Sequence, residues 1–314
     1  MAKISVITPC YFNEPNIPVY AKRMIDNEQD FPDTVTFEYV LIDDGSKDNT
    51  WAELQKFYGQ YPNKVKIIKL ERNFGATNAI YAGLNYATGD CNVVVAADLQ
   101  DPPELIARMY EYWLKGFKLV LANRASRDES ALQQFMSNTT HKMIRKWGIK
   151  NLPDGGFDLS LFDKEIRDVI VKIDDKNSFF PYLLLWLGYE YVSIPYVRQK
   201  REIGKSSYTV AKKIKIFVDS FVAFSYFPVR IISISGLALG MLSFLYAILI
   251  ITWKIMGKIE TTGWSSIMVI ILFVASFQMI SLGIIGKYVW AWFDAARKRP
   301  NFIIEKTFVK ENTP

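Results

Sequence analysis

The sequence is poor in cysteine and histidine, the residues that most often build disulfide and zinc frameworks: its 314 residues include two cysteines and one histidine. Cys10 and Cys91 both fall in predicted strands, so no disulfide framework is indicated and a reducing cytoplasm suits the chain. His141 has no His, Cys or Glu partner at ligand spacing, so we interpret it as a surface or packing residue. Residues 1–9 lack the apolar core of a signal peptide, and no internal repeat or low-complexity tract occurs. These absences exclude a disulfide-rich secreted domain and a repeat architecture.

Charged residues are missing from two apolar runs near the C-terminus, Ile231–Trp253 and Trp264–Gly286, each of 23 residues. About 20 apolar residues in a helix are enough to cross the hydrocarbon core of a membrane. The alternative is a buried core helix of a soluble protein, which two such runs joined by the short link Lys254–Gly263 fit poorly. We therefore predict two membrane-spanning helices. Gly236 and Gly240 form a G-x-x-x-G pattern in the first, which permits close helix contact.

Basic residues concentrate at the outer ends of these two runs. They are Lys212, Lys213, Lys215 and Arg230 before the first run, and Lys287, Arg297, Lys298 and Arg299 after the second. The link carries only Lys254 and Lys258 against Glu260, so the positive-inside rule predicts that both chain ends lie in the cytoplasm. The formal net charge of +6 indicates contact with anionic lipid headgroups rather than with nucleic acid.

The first 200 residues or so show short β-branched runs that alternate with helical stretches. The runs are Ile4–Thr8, Thr36–Ile42, Val65–Leu70 and Asn92–Ala97, separated by helical patterns at Pro15–Glu28, Asp48–Tyr61 and Gly75–Ala87. This order predicts an α/β domain with a doubly wound, largely parallel sheet. Ligands bind such sheets beyond the carboxyl ends of the strands, so the residues that follow each strand form the candidate site.

Polar segments follow all four predicted strands, and a basic stretch lies further along the chain. The segments are Pro9–Glu14, Asp43–Ser46, Glu71–Gly75 and Asp98–Asp101, and the basic stretch comprises Arg198, Lys200, Arg201 and Lys205. An amphipathic segment, 209–227, comes next and predicts a helix that lies in the membrane interface. The basic stretch would then meet a lipid phosphate at headgroup height.

The ordered set of motifs resembles the family 2 glycosyltransferases that act on polyisoprenyl phosphates, relatives of dolichol-phosphate mannose synthase and bactoprenol glucosyltransferases. The motifs are DDGS at 43–46, RNFG at 72–75, ADLQDPPE at 97–104 and Arg-x-x-Gly-x-Ser-x-Tyr at 201–208, followed by the two apolar runs. The resemblance implies the GT-A form of the doubly wound sheet, found in nucleotide-diphospho-sugar transferases. It also implies transfer of a sugar from a nucleotide donor to a lipid phosphate, and a homo-oligomer such as a tetramer.

The resemblance also implies a divalent cation, Mg²⁺ or Mn²⁺, after the fourth strand. A departing diphosphate needs such a cation on hard oxygen ligands, and Asp98 and Gln100 point their oxygens the same way if extended geometry persists. Relatives carry Asp where this sequence has Ala96, so Asp98 is the principal metal carboxylate and a catalytic residue, with Gln100 in support. Helix capping is the alternative for Asp98, and it is the favoured interpretation for Asp101, just before Pro102.

The same resemblance assigns the donor nucleotide to the first strand ends. Asp44 is the predicted nucleoside carboxylate and Asp43 a structural one, with a simple turn before the helix cap Asp48 as the alternative. Arg72 either meets the donor phosphate or braces its loop, and the free amides at Gly75 favour an anion. The predicted donor-binding residues are Pro9, Tyr11, Glu14, Asp44, Arg72 and Asp98.

The predicted acceptor site combines a carboxylate with basic residues. Residues 155–164 align with the family segment whose Asp lies near the acceptor, which assigns a catalytic role to Asp158, although Ser160 stands where relatives often carry Arg. A lipid phosphate, with a second pKa of about 6, is largely anionic at neutral pH. We therefore predict that Asp158 positions the acceptor or a cation instead of acting as a base, with a structural turn role as the alternative. The acceptor phosphate is assigned to Arg198, Arg201 and Ser206, with a general anionic-lipid anchor as the alternative.

These observations divide the chain into four parts. We predict a cytoplasmic catalytic domain at 1–208, a juxtamembrane amphipathic helix at 209–228, two transmembrane helices within 229–290, and a cytoplasmic tail at 291–314. The predicted protein is a multi-pass enzyme of the cytoplasmic membrane. It is expected to invert the sugar configuration while moving glucose from UDP-glucose to undecaprenyl phosphate at the cytoplasmic face.

Two alternatives stay open and a third is excluded. The first is the same reaction with another donor: UDP-N-acetylglucosamine, GDP-mannose or a UDP-modified arabinose. A degenerate, membrane-tethered protein that binds nucleotide sugar or lipid is the second; Ala96 raises it, and Asp98, Asp158 and Arg201 argue against it. A processive polysaccharide synthase would need more spans and a Gln-x-x-Arg-Trp segment, and the sequence has neither.

Overall fold

The computed structural model describes residues 1–124, 142–146, 148–149, 151–153, 156–173, 179–197, 218–219, 222, 225, 227–256 and 263–310. The chain divides into two compact units. The first comprises residues 1–220 and 300–314, and the second comprises residues 221–299.

The first unit is built on a single sheet. Its strands are β1 (Ala2–Cys10), β2 (Val35–Asp43), β3 (Val65–Leu70), β4 (Cys91–Val94), β5 (Leu119–Arg124), β6 (Leu159–Asp163), β7 (Tyr191–Tyr196) and β8 (Ile304–Phe308). They lie in the order β7-β5-β6-β4-β1-β2-β3-β8. Strands β1 to β4 are parallel, β7 is parallel to β5, and β6 and β8 are antiparallel to their neighbours. The predicted doubly wound, largely parallel sheet is confirmed.

Helices cover both faces of this sheet. They are α1 (Ile17–Asp26), α2 (Thr50–Gln60), α3 (Ala76–Leu84), α4 (Leu105–Leu114), α5 (Lys164–Lys172) and α6 (Phe180–Trp186). Ile4 of β1 belongs to a core that also contains Tyr20 of α1. Ile7 and Ile42 point to α3, where a Cβ atom at Gly83 would lie 2.7 Å and 2.6 Å from their side chains. Strands buried on both faces explain the continuous apolar runs of the sequence.

The two cysteines lie within this core. Cys10 at the end of β1 and Cys91 at the start of β4 are buried and unpaired. Burial raises the pKa of both thiols above the usual range, so both stay protonated. The prediction that both cysteines lie in strands is confirmed.

Strand β8 lies within the predicted tail, and the sequence analysis did not anticipate it. It pairs with the edge strand β3, and the Glu305 carboxylate lies 2.8 Å from the Lys69 ammonium. The Phe308 ring centroid is 5.8 Å from that of Trp51 and 5.7 Å from that of Tyr58. The segment after the apolar helices is therefore part of the first unit, because it covers an edge that would otherwise expose unpaired backbone groups.

The second unit contains helices α7 (Phe227–Ile255) and α8 (Trp264–Ala296). Two stretches of these helices are long and apolar enough to cross a membrane: Phe227–Trp253, with a mean hydropathy of 2.3, and Phe273–Ala296, with 1.3. Their side chains are largely exposed, which a core helix of a soluble protein would not show. Helix α8 contains the predicted run and continues past Gly286. The predicted amphipathic helix at 209–228 lies almost entirely outside the described residues.

A buried charge network joins the first strands far from their carboxyl ends. Glu38 of β2 is 2% exposed and accepts hydrogen bonds from the Ser5 hydroxyl and from the Thr88 backbone and hydroxyl groups. The ammonium groups of Lys3 and Lys66 lie 2.8 Å and 3.0 Å from its carboxylate. Burial alone raises the pKa of Glu38, but these donors and cations outweigh burial and lower it to about 2.

Replacement of this glutamate, Glu38→Gln, is expected to destabilise the protein by about 3 kcal/mol near neutral pH, because it removes a buried carboxylate that accepts several hydrogen bonds and pairs with two partly buried cations. The folded pKa lies below the unfolded value of 4.5. The stabilisation is therefore complete above about pH 5 and is lost as the pH falls toward about 2. Urea unfolding of both proteins in detergent, from about pH 7 down to about pH 4, tests this.

The matched control is Glu111→Gln, which changes an exposed glutamate on α4 and should alter stability by less than about 0.5 kcal/mol. A Glu38→Gln penalty that stays constant at every pH would contradict the assignment of the charge to the folded network.

Candidate active site

Seven chain segments meet at one edge of the sheet. The parallel strands β1 to β4 end there at Cys10, Asp43, Leu70 and Val94. Strand β6 is antiparallel to β4, so its first residue, Leu159, lies at the same edge. Strand β5 is antiparallel to β6, and β7 is parallel to β5. The carboxyl ends of β5 and β7 therefore also lie at this edge. This is the edge where doubly wound sheets bind ligands.

Asp44, after β2, holds the loop that follows β3. Its two carboxylate oxygens accept hydrogen bonds from the backbone N–H groups of Phe74, at 2.7 Å, and Gly75, at 2.9 Å. Burial raises the pKa of Asp44 to about 6, although the two amides act in the opposite direction. A Cβ atom at Gly45, where φ is +68°, would lie 2.4 Å from the Arg72 carbonyl carbon, so only glycine fits this contact.

Asp43 has the less satisfied carboxylate of the pair. One oxygen accepts from the Ser46 backbone N–H at 3.0 Å, while the buried Oδ2 has no hydrogen-bond partner among the described residues. Burial raises the pKa of Asp43 as well. A buried acceptor without a donor is costly, so the first aspartate of the motif has capacity for a ligand hydroxyl or amide. Nucleoside recognition by Asp44 stays a prediction.

The loop after β3 presents Arg72 to solvent. Its guanidinium carbon lies 4.3 Å from the centroid of the Phe74 ring, which fixes the side chain without using its N–H donors. Those donors stay accessible to a phosphate because Arg72 is exposed. The Gly75 N–H donates to Asp44, and helix α3 begins at the next residue, Ala76. The roles of Arg72 as a donor-phosphate ligand and of the helix start at Gly75 as an anion site stay predictions.

The loop after β1 carries the other predicted nucleotide residues. Pro9 is the penultimate residue of β1, and Tyr11 is exposed beside the Phe12 ring, with centroids 4.6 Å apart. The Glu14 carboxylate accepts from the backbone and side-chain amides of Asn49, at 3.1 Å and 2.9 Å. Phe12 has a φ of +54°, which is rare for a non-glycine residue and is a form of strain that clusters at functional sites.

The segment after β4 turns instead of continuing as a strand. Leu99 has a φ of +50°, and its N–H donates to the Ala96 carbonyl at 3.3 Å. The extended geometry assumed for Asp98 and Gln100 is therefore wrong. The two residues remain close, because the Gln100 N–H donates to Asp98 Oδ1 at 3.3 Å. Both residues are partly buried at the site edge.

Asp101 does not cap the following helix. Helix α4 begins at Leu105, and its N-cap residue Glu104 makes no side-chain cap. The Asp101 carboxylate is 3% exposed and accepts a hydrogen bond from the Tyr196 hydroxyl. The capping prediction for Asp101 is wrong because the chain between Pro102 and Leu105 forms a turn before the helix starts.

Asp158 reaches the same cluster from the start of β6. Its N–H donates to the Ala122 carbonyl of β5 at 3.2 Å, and its Oδ2 lies 3.1 Å from the Tyr196 hydroxyl. Burial and the charges of Asp158 and Asp101 raise the pKa of Tyr196 far above its usual range, so its hydroxyl stays protonated and donates. Tyr196 ends β7 and was missed by the sequence analysis, because one tyrosine at a strand end carries no motif.

The residues predicted to bind the acceptor phosphate, Arg198, Arg201 and Ser206, lie outside the described residues, as does His141. Among the residues that are described, no three His, Cys, Asp or Glu side chains cluster as a metal site. The predicted metal ligands at the edge are one carboxylate, Asp98, and one amide, Gln100. These hard oxygens fit Mg²⁺ or Mn²⁺ that takes its remaining ligands from substrate phosphates and water.

Comparison with known proteins yields one family and several full-length relatives. A family model described as Glycosyl transferase family 2 matches residues 5–170. The uncharacterized glycosyltransferase YkcC of Bacillus subtilis (strain 168) is 32% identical, over 94% of this chain and 94% of that protein. The SfII prophage-derived bactoprenol glucosyl transferase of Shigella flexneri is 32% identical, over 97% and 98%. The undecaprenyl-phosphate 4-deoxy-4-formamido-L-arabinose transferase of Pectobacterium atrosepticum is 31% identical, over 99% and 95%.

Proposed function

The chain belongs to glycosyl transferase family 2 and is a glycosyltransferase, and from this we propose that it moves a sugar from a nucleotide donor to polyprenyl phosphate at a membrane surface. Two relatives of nearly equal identity are named for different sugars, glucose and formamido-arabinose, but both names specify a polyprenyl acceptor. The acceptor class therefore carries over more firmly than the sugar. Our first choice of donor is UDP-glucose.

The observation that carries this proposal is the single site edge that collects Asp98 and Asp158, in a chain with two helices long enough to span a membrane. A lipid phosphate buries its chain in the bilayer, so an enzyme that uses it must work at the membrane surface. The apolar helices supply that location. The edge supplies a loop for each half of the reaction, with the donor at β1 to β4 and the acceptor beside β6 and β7.

In the proposed reaction, a phosphate oxygen of the lipid attacks the anomeric carbon and the nucleoside diphosphate leaves, which inverts the configuration. Asp98 and Gln100 would hold a divalent cation, Mg²⁺ or Mn²⁺, whose chemistry is to stabilise the charge that develops on the leaving diphosphate. Arg72 contacts a donor phosphate from the neighbouring loop. Asp158 orients the acceptor, whose phosphate is already anionic near neutral pH.

The acceptor phosphate is proposed to bind Arg198, Arg201 and Ser206, which follow β7 in the sequence. Strand β7 ends at Tyr196, so this segment starts from the site edge. Two arginines can grip a phosphate in a bidentate way that lysine cannot reproduce. Anionic membrane lipids are a second proposed partner of this basic segment. The proposed assembly of the protein is a homo-oligomer.

Both chain ends are proposed to lie in the cytoplasm. Residues 300–314 belong to the same unit as residues 1–220, which supports a segment between them that leaves and returns to one side of the membrane. Two spanning helices do so. The basic residues at the outer ends of both helices favour the cytoplasmic side.

Cysteine labelling in right-side-out membrane vesicles tests this orientation. Both native cysteines are buried, so the background is low. A membrane-impermeant maleimide is expected to label Gly263→Cys in the link between the helices, and to label Asp33→Cys in the first unit only after detergent opens the vesicles. Labelling of Asp33→Cys in sealed vesicles, with Gly263→Cys protected, would show the opposite orientation.

The proposed reaction is tested by incubating the detergent-purified protein with undecaprenyl phosphate, Mg²⁺ or Mn²⁺, and a panel of radiolabelled UDP- and GDP-sugars. Label that enters the organic phase from one donor, and disappears with a chelator, is the expected result and names the sugar. Binding of nucleotide sugar and lipid without turnover from any donor would favour the degenerate binding protein.

A further inference from the structure

We propose that Tyr196 is a positioning residue for the transfer reaction, and that its hydroxyl couples the Asp98–Asp101 loop to Asp158. The expected effects on sugar transfer rest on the proposed function. The expected coupling between the two loops rests on the geometry of the cluster alone. Among the described residues, the Tyr196 hydroxyl forms hydrogen bonds with Asp101 and Asp158, neither of which we assign to the donor nucleotide.

The cluster joins three separate parts of the chain. Tyr196 ends β7, Asp101 closes the turn after β4, and Asp158 precedes β6. The Tyr196 side chain is nearly buried, and its hydroxyl is within hydrogen-bond distance of both Asp101 Oδ1 and Asp158 Oδ2, the latter at 3.1 Å. No other described hydroxyl is seen to join two carboxylates at this edge.

A phenol has one proton to donate, so Tyr196 serves one carboxylate at a time and its position is a compromise between the two. Displacement of either carboxylate therefore moves the shared donor. Asp101 is adjacent to Gln100, whose N–H donates to Asp98, so the metal-binding turn and the acceptor carboxylate are held in register through the tyrosine. Residues that contact the catalytic side chains but not the substrate act in this way, by fixing the orientation of those side chains.

Replacement of the hydroxyl, Tyr196→Phe, keeps the ring in its packing and removes only the donor. We expect kcat to fall about 10- to 100-fold while the KM for nucleotide sugar changes less than about two-fold, because positioning is lost and ground-state donor contacts are kept. The matched control is Tyr191→Phe on the same strand, whose hydroxyl donates to the Asn151 carbonyl at 2.7 Å and faces neither carboxylate.

A double-mutant cycle separates positioning from a general effect on β7. If Tyr196 acts through Asp158, adding Tyr196→Phe to the Asp158→Asn variant should lower kcat by less than about three-fold further. The reason is that Tyr196 then orients a residue that has already lost its function. Losses that multiply in the double variant, or equal losses in Tyr196→Phe and Tyr191→Phe, would overturn the proposal.

Hydrogen–deuterium exchange tests the same coupling without any turnover. Tyr196→Phe is expected to speed amide exchange in residues 96–104 and in residues 156–160 together, and Tyr191→Phe is expected to leave both segments unchanged. Unchanged exchange in Tyr196→Phe would refute the coupling even if transfer activity is found. Faster exchange in a protein that transfers no sugar would uphold the coupling and reject the proposed function.

Discussion

Asp98→Ala is expected to lower kcat/KM for sugar transfer by about 1,000-fold, since it removes the only carboxylate of the proposed cation site. Position 96 is an alanine, so it cannot supply a second carboxylate to the cation site. The Asp98 carboxylate also accepts the Gln100 N–H, and its loss would loosen the turn around Leu99. Steady-state transfer with saturating Mg²⁺ or Mn²⁺ measures the loss.

Asp98→Asn distinguishes the charge from the hydrogen bond. Asparagine keeps an oxygen that accepts the Gln100 N–H but has no negative charge, so a similar loss of about 1,000-fold is expected. The control pair is Asp33→Ala and Asp33→Asn, at an exposed position before β2, which should retain wild-type activity. Full activity in Asp98→Asn with loss only in Asp98→Ala would show that Asp98 holds the turn and binds no cation.

Asp158→Asn is expected to lower kcat by about 100- to 1,000-fold, by the same factor between about pH 6 and pH 8. The amide retains an oxygen for the Tyr196 hydroxyl, which lies 3.1 Å from Asp158 Oδ2, so the local geometry is kept. A positioning carboxylate loses its effect at every pH. Transfer rates of wild type and variant, measured over this pH range with saturating donor, give the ratio.

A general-base role predicts a different profile. The lipid phosphate, with a second pKa of about 6, becomes fully deprotonated as the pH rises, and the need for a base disappears. Activity of Asp158→Asn that is lost near pH 6 and recovers near pH 8 would therefore establish the base and contradict positioning. Asp33→Asn, measured in parallel, shows whether the pH itself harms the protein.

The sheet was predictable from the sequence where both faces of a strand are buried. Val65–Leu70 was predicted with its observed bounds, and the strands at Ile4 and Thr36 were predicted one or two residues short at each end. The strand predicted at Asn92–Ala97 ends at Val94 instead. Strand β8 was not predicted because three of its five residues, Glu305, Lys306 and Thr307, are polar and follow one another without alternation. The segment forms a strand because it pairs with the edge strand β3, where Glu305 contacts Lys69 and Phe308 packs against Trp51.

The site was predictable as a location and only partly as a geometry. Strand-end motifs identified Asp44 and Asp98, and the family resemblance identified Asp158. Asp44 and Asp98 share one edge because β2 and β4 are both parallel to β1, and Asp158 joins them because β6 is antiparallel to β4. The turn at Leu99 could not be read from the sequence, since a leucine with positive φ is held there by its surroundings. Tyr196 depends on a contact between β7 and two distant loops, and no local pattern reports such a contact.

The central claim is that a glycosyl group alone is transferred to the lipid phosphate, and the products of one reaction test it most directly. Mass spectrometry of the lipid product should find one sugar and one phosphorus atom per polyprenyl chain. The aqueous phase should contain one nucleoside diphosphate per lipid product, as attack at the anomeric carbon requires. A lipid product with two phosphorus atoms, together with released nucleoside monophosphate, would contradict the account, because a sugar phosphate would then have been transferred.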